Sequence, residues 1–127
     1  MKQDKKIYGF ERLEVYQDAR MYVKQIYLLT NSFPEREKFG LISQLQRAVL
    51  SIVSNIVEGT SRTSNKEKER FIEIAYGSLL ESFCQLQVSV DLEYINQSQL
   101  NDFQLQIDKI ANKLSALKRS YNINTKH

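Results

Sequence analysis

Glu58 and Glu81 are carboxylates that could in principle work as a general acid and base. The groups that usually assist such chemistry are absent or badly placed. The sole histidine, His127, is the last residue given, so it is expected to be solvated, with no place in a buried metal site or a Ser-His-Asp relay. Cys84 is the single cysteine, which rules out an intrachain disulfide and a thiolate metal cluster; it is expected to be a small buried hydrophobe. The stretch EGTSR, residues 58 to 62, has neither the Gly-Lys-Ser/Thr ending nor the preceding strand of a phosphate loop. The expectation is a protein without catalytic residues, metal or cofactor.

A different pattern stands out in SIVSNIVEGTSR, residues 51 to 62. Ser51, Asn55, Glu58 and Arg62 follow one another at helical spacing, and Gln44 and Arg47 extend the ladder backward. Such a stripe of hydrogen-bonding side chains on an apolar helix fits a subunit contact, where an unpaired polar group costs about 1–3 kcal/mol and so selects one geometry. The alternative is a plain wet helix face. Ser78 and Glu81 of a later helix are assigned to the same contact.

Basic residues offer a second kind of surface. Arg20 and Lys24 share one flank of the first helix, and Lys109 and Lys113 share an outer face of the last. Arg62, Lys66, Lys68 and Arg70 cluster around a loop. Exposed, spaced positive charge of this kind is what phosphate contacts require. Glu67, Glu69 and Asp108 are interleaved with it and weaken the case. The formal net charge is only +3, but residues 71 to 100 carry four acidic groups and no basic ones, so a folded chain presents separate regions of opposite sign.

The elements that position these groups are helices. One proline, four glycines and apolar residues at three- and four-residue spacing predict an all-α chain. A first helix is expected over about 9 to 31, with Leu13, Tyr16, Ala19, Val23, Ile26 and Thr30 inward. Phe33-Pro34 interrupts it, and a second helix starts between Pro34 and Phe39, proline suiting its first turn. That helix runs to about Thr60, with Gly59 expected as its left-handed C-terminal residue. Ser64 and Glu67 form a capping-box pair that opens a third helix of roughly 30 residues, with small or polar Ser78, Ser82, Gln85 and Ser89 on its shoulder. Leu100, Phe103, Ile107, Ile110, Leu114, Leu117 and Tyr121 mark the fourth, about 98 to 121. Short connections make neighbours antiparallel, so the fold is an up-down-up-down four-helix bundle in one domain, residues 7–121, with flexible tails at 1–6 and 122–127. No run of about 18 apolar residues exists to span a membrane, and the opening MKQDKKIYGF lacks the apolar core of a signal peptide, so a cytoplasmic location is expected.

Taken together, QLQRAVLSIVSNIVEG at residues 44 to 59, the preceding Phe33-Pro34 and Glu37, FIEIAYGSLLES at 71 to 82 and FERLEVYQDA at 10 to 19 carry a family likeness. The chain resembles the bacterial four-helix-bundle proteins encoded by 23S ribosomal RNA intervening sequences, a family that includes the accessory variability protein of diversity-generating retroelements. The resemblance covers about Phe10 to Leu117 and implies a barrel-like homopentamer with a positively charged surface and no catalytic residues. From the retroelement relatives it adds RNA or DNA, and a reverse transcriptase, as partners. The motif positions here are Gln44, Arg47, Ala48, Ser51, Asn55, Ile56, Glu58, Gly59, Ala75, Gly77, Ser78, Glu81 and Gln85. The chain departs from the pattern at Gln46, where a second basic residue is common, at Val53, where proline is common, and at Ser82-Phe83, where a Leu-Glu pair is common. The reading that results is a non-enzymatic homo-oligomeric scaffold that binds nucleic acid through repeated basic patches. Its rival is a structural or protein-interaction module that never touches nucleic acid.

Overall fold

A computed structural model describes residues 5–125, and these form four helices and no strand. Helix α1 spans Glu14–Thr30, α2 Leu41–Ser61, α3 Asn65–Asp91 and α4 Gln97–Thr125, with short 3-10 turns at Gly9–Arg12 and Glu35–Glu37. The chain is an all-α four-helix bundle. In it α1 packs on α2 and α4, and α3 packs on α2 and α4, so α1 and α3 are diagonal partners. Side-chain pairs fix the antiparallel sense: Asp18 and Gln25 of α1 meet Lys113 and Gln106 of α4 in descending order, and Arg47 and Ser51 of α2 meet Glu81 and Ser78 of α3 likewise.

The helix ends follow from local chemistry. Residues 9 to 13 do not begin α1, because Leu13 is extended and supplies no side-chain cap; a 3-10 turn precedes it instead. Pro34 is extended too and leads into the Glu35–Glu37 turn, so α2 starts later than expected, after Gly40. The Glu37 carboxylate accepts the otherwise orphaned Leu41 N–H at 3.1 Å. Ser64 caps α3, accepting from the Glu67 N–H at 3.1 Å, as its spacing predicts. A reciprocal box opens α4: Asn96 Oδ1 accepts the Gln99 N–H at 2.8 Å while Gln99 Oε1 accepts the Asn96 N–H at 2.9 Å. That helix continues to Thr125, past the expected boundary at 121; residues 1–4 and 126–127 of the expected tails lie outside the described residues.

Gly59 plays another part than the one its position suggests. It is helical, no glycine has positive φ, and a Cβ at 59 would stand 3.1 Å from Ile72 Cδ1 and 3.3 Å from both Lys68 O and Phe71 Cβ. Its missing side chain lets α3 approach α2. The left-handed residue is Glu93, φ 65°, just beyond α3, where the Tyr94 N–H reaches Ser89 O and the Glu93 N–H reaches Val90 O, each at 2.9 Å. This is a Schellman closure with a non-glycine at its left-handed position.

The core is a continuous apolar column. Ile26, Leu45, Ile52, Ile56, Leu79, Leu86, Ile110 and Leu114 are fully buried, and Phe33 and Ile95 close the end formed by the α1–α2 and α3–α4 connections. On α1 the inner face is turned from the one expected: Val15 and Tyr22 are buried with Ala19, Ile26 and Thr30, while Leu13, Tyr16 and Val23 are half-buried. Cys84 is exposed, not buried. The inner face of α3 runs Leu79, Ser82, Leu86, Ser89, and position 84 lies about 200° around the helix from 82 and from 86.

Candidate nucleic-acid and subunit interfaces

The polar ladder of α2 lies along its seam with α3. Arg47 donates to Glu81 at 2.7 Å and to Gln44 Oε1 at 2.9 Å. Ser51 Oγ meets Ser78 Oγ at 2.8 Å, and Asn55 donates to the Ser51 carbonyl at 2.8 Å and to its hydroxyl at 3.0 Å. Glu58 holds Arg62 one turn on, and the Arg62 guanidinium lies 4.6 Å from the Phe71 ring centroid. All eight residues assigned to the subunit contact are therefore on one face, with first partners inside the chain. That face is still open to solvent, since the Arg47 and Glu81 side chains keep 57% and 41% exposure. Gln85 continues the row toward Glu81, and its buried Oε1 has no protein hydrogen-bond partner. Alongside run Ile74, Cys84, Val88 and Leu92 of α3, all exposed, with open space at Gly77. The result is a mixed polar and apolar surface of the kind protein contacts use. Each of Glu58 and Glu81 is paired with an arginine, Glu58 with Arg62 and Glu81 with Arg47.

The basic candidates separate into three places. Arg62, Lys66, Lys68 and Arg70 gather at the end of the bundle where α2 turns into α3. Lys68 Nζ lies 5.3 Å from the Tyr121 ring centroid, and Arg70 makes only a long 3.8 Å contact with Glu67. Sequence reasoning missed the rest of this end: Lys5, Lys6 and Arg12 arrive with the N-terminal segment, and Lys118 and Arg119 with the last turns of α4. Between them Tyr8, Phe10, Leu13, Val57, Thr60 and Tyr121 line a hollow of about 330 Å³. Burial raises the Tyr121 phenol above its ordinary range. Arg20 and Lys24 lie apart on α1, with Arg20 5.6 Å from the Tyr16 ring centroid. Lys109 and Lys113 do not form a free outer face. Lys113 is half-buried on the α1 seam, 2.6 Å from Asp18 and 3.1 Å from Glu14, and Lys109 is 3.7 Å from Asp18. The hydrogen bond to Asp18 is the main reason the Lys113 ammonium titrates above the usual lysine range, so its charge is committed within the chain.

The opposite end carries the other sign. Glu35, Glu37, Asp91, Glu93 and Asp102 collect around the α1–α2 and α3–α4 connections, with Arg36 and Lys38 among them. Tyr94 ties these connections together: its hydroxyl donates to Glu37 at 2.8 Å, its ring meets that of Phe33 at a tilt with centroids 5.2 Å apart, and Arg36 lies over it.

Residues 11–116 match the family model of the 23S rRNA-intervening sequence protein. The chain belongs to that family. Among curated proteins, none is significantly similar to it in sequence. A crystal structure of a protein of unknown function of the S23 ribosomal protein family, from Bacteroides thetaiotaomicron, superposes with a TM-score of 0.75. The two share 22% identity over 83% of this chain and 95% of the other, a likeness that shows the fold. For this 23S rRNA-intervening sequence protein, two of the departures from the family pattern, Gln46 and Ser82, have structural correlates. Gln46 donates to Thr30 Oγ1 at 3.3 Å and so ties α2 to α1, and Ser82 receives the buried Tyr22 hydroxyl at 2.7 Å.

Proposed function

We propose that this 23S rRNA-intervening sequence protein is a non-catalytic, self-associating scaffold that binds RNA or DNA at the basic end of its bundle. The observation that carries the reading is the division of charge along the bundle axis. A net charge of only +3 is spread so that the end where α2 turns into α3 carries an excess of lysine and arginine over Glu58, Glu67, Glu69 and Glu73, the last paired with Lys118 at 2.9 Å, while the opposite end carries an excess of carboxylates. Phosphate backbones are drawn to such a concentration, and an assembly multiplies it. A homopentamer, the assembly implied by the resemblance, would hold five basic ends around one axis. The exposed α2–α3 face, with its arginines, carboxylates and apolar row, serves in this reading as the subunit contact.

Mobility shift against structured RNA and duplex DNA across a salt series tests the nucleic-acid arm. Affinity should fall steeply with salt, and Lys66→Glu with Arg70→Glu should weaken binding and flatten the salt slope by roughly one unit per lost phosphate contact. Lys24→Glu, on the flank of α1, should leave both nearly unchanged. Absence of any shift at about 50 mM salt would overturn binding and leave the structural or protein-interaction module. That rival is favoured by the pairing of Arg62, Arg70, Lys109 and Lys113 with acids of their own chain. Light scattering tests the assembly arm against the 14.9 kDa of a single chain.

A further inference from the structure

Three separate pieces of chain meet around the hollow at the basic end: the N-terminal segment brings Tyr8 and Phe10, the last turn of α2 brings Thr60 and Ser61, and α4 brings Tyr121. At about 330 Å³ it lies at the small end of the range for ligand pockets, roughly 300–1,000 Å³. That suits one planar ring system and is too small for a helix about 10 Å across. The Tyr8 and Phe10 rings lie nearly parallel, 21° apart in plane with centroids 6.1 Å apart, and Tyr16 braces Phe10 edge-on at 5.0 Å. Tyr8 is nevertheless 53% exposed, and a Cβ on Gly9 between the two would meet nothing within 4 Å. The segment therefore does not seal the bundle end; it lines an open wall with aromatic faces.

Cations stand beside two of these rings. Lys6 Nζ lies 5.1 Å from the Tyr8 centroid and Lys68 Nζ 5.3 Å from that of Tyr121. Neither ammonium has an ion pair among the described residues, whereas Arg62 and Lys118 are held by Glu58 and Glu73. Glu11 and Glu69, also without an ion pair there, offset part of the charge. The Thr60 and Ser61 hydroxyls donate to the carbonyls of Val57 and Glu58, each at 2.8 Å, which leaves their oxygens free to accept. Aromatic faces, accepting hydroxyls and unpaired ammonium groups are the complements of a base's flat face, its N–H edge and the phosphates next to it.

We propose that this hollow takes an unpaired base of a single-stranded nucleic acid, stacked on the Tyr8 ring, with the adjoining phosphates drawn to Lys6 and Lys68. The proposal deepens the nucleic-acid reading above and rests on it. A base inside a duplex is already stacked and paired, and would have to be extruded before it entered. The basic end is thus a single-strand site, tolerant of sequence because every base has a π-face.

Fluorescence anisotropy of the full-length protein with labelled oligouridine or oligothymidine of roughly ten nucleotides tests this. An abasic strand of equal length carries the same phosphates without the bases, and should bind roughly tenfold or more weakly. Tyr8→Ala should weaken the base-bearing strand by a similar factor while leaving the abasic strand and a duplex nearly unchanged. Tyr8→Phe keeps the ring and should keep the affinity. Equal binding of base-bearing and abasic strands, or a Tyr8→Ala loss shared by both, would overturn the stacked base, although salt-dependent binding at the basic end would then stand. Uridine monophosphate that bound as tightly as the strand would overturn a strand as the occupant. No binding of any probe at about 50 mM salt would bring down both readings together.

Discussion

The Tyr22 hydroxyl and Ser82 Oγ meet at 2.7 Å inside the core, joining the diagonal helices α1 and α3. Both side chains are fully buried, and burial raises the Tyr22 phenol far above its ordinary range, so it stays neutral. Ser82 also donates to the Leu79 carbonyl at 2.7 Å, so the shared proton of the pair comes from Tyr22.

This arrangement makes the two truncations unequal. Tyr22→Phe leaves Ser82 bonded to Leu79 and should cost about 0.5–1.5 kcal/mol. Ser82→Ala strands a buried hydroxyl and should cost about 1–3 kcal/mol. Removing both should cost less than the sum of the single changes. Urea denaturation of the four-membered mutant cycle measures the coupling, and strict additivity would deny that the bond exists.

Glu37 and Tyr94 give stability a dependence on pH. The hydrogen bond from Tyr94, followed by that from the Leu41 N–H, holds the Glu37 carboxyl below its usual range, and the same bond holds the Tyr94 phenol above its own. Because the folded pKa of Glu37 is depressed, its contribution is present above the unfolded value near 4.3 and lost as pH falls through the folded value. Tyr94→Phe should therefore flatten the decline in melting temperature between about pH 5 and pH 3. Lys113 runs the other way: its raised pKa makes its contribution complete below the ordinary lysine value and lost in strong alkali. An acid limb identical in wild type and Tyr94→Phe would contradict the assignment.

Glu93 occupies a backbone region that a Cβ disfavours by about 1–2 kcal/mol. Glycine relieves that strain but loses more entropy on folding, by about 0.5–1 kcal/mol. The balance predicts that Glu93→Gly stabilises the bundle by about 0.5–1 kcal/mol, which is a rise of roughly 2–4 °C in Tm. Calorimetry decides it, and a fall in Tm would show that the Glu93 side chain makes a stabilising contribution of its own.

Much of the bundle was legible in its residues. Apolar spacing located all four helices, and Ser64 with Glu67 marked the start of α3. The pair Asn96 and Gln99 has the same three-residue spacing and forms the cap of α4. The late start of α2 was not legible, because Pro34 is compatible with a first helical turn as well as with the extended residue it is.

By itself the sequence determined the number of helices, their order and the residues sharing each face, since these follow from local propensity and from a 3.6-residue period. Tertiary structure decided how far each helix is rotated about its axis and in what register neighbours meet. Rotation buried Tyr22 and Ser82 and left Cys84 in solvent; register bound Lys113 to Asp18 and set Arg47 against Glu81. Neither quantity is local. A face can be read from one helix, but its partner depends on how four apolar stripes fill a common volume without voids, and that optimum exists only when all four are packed.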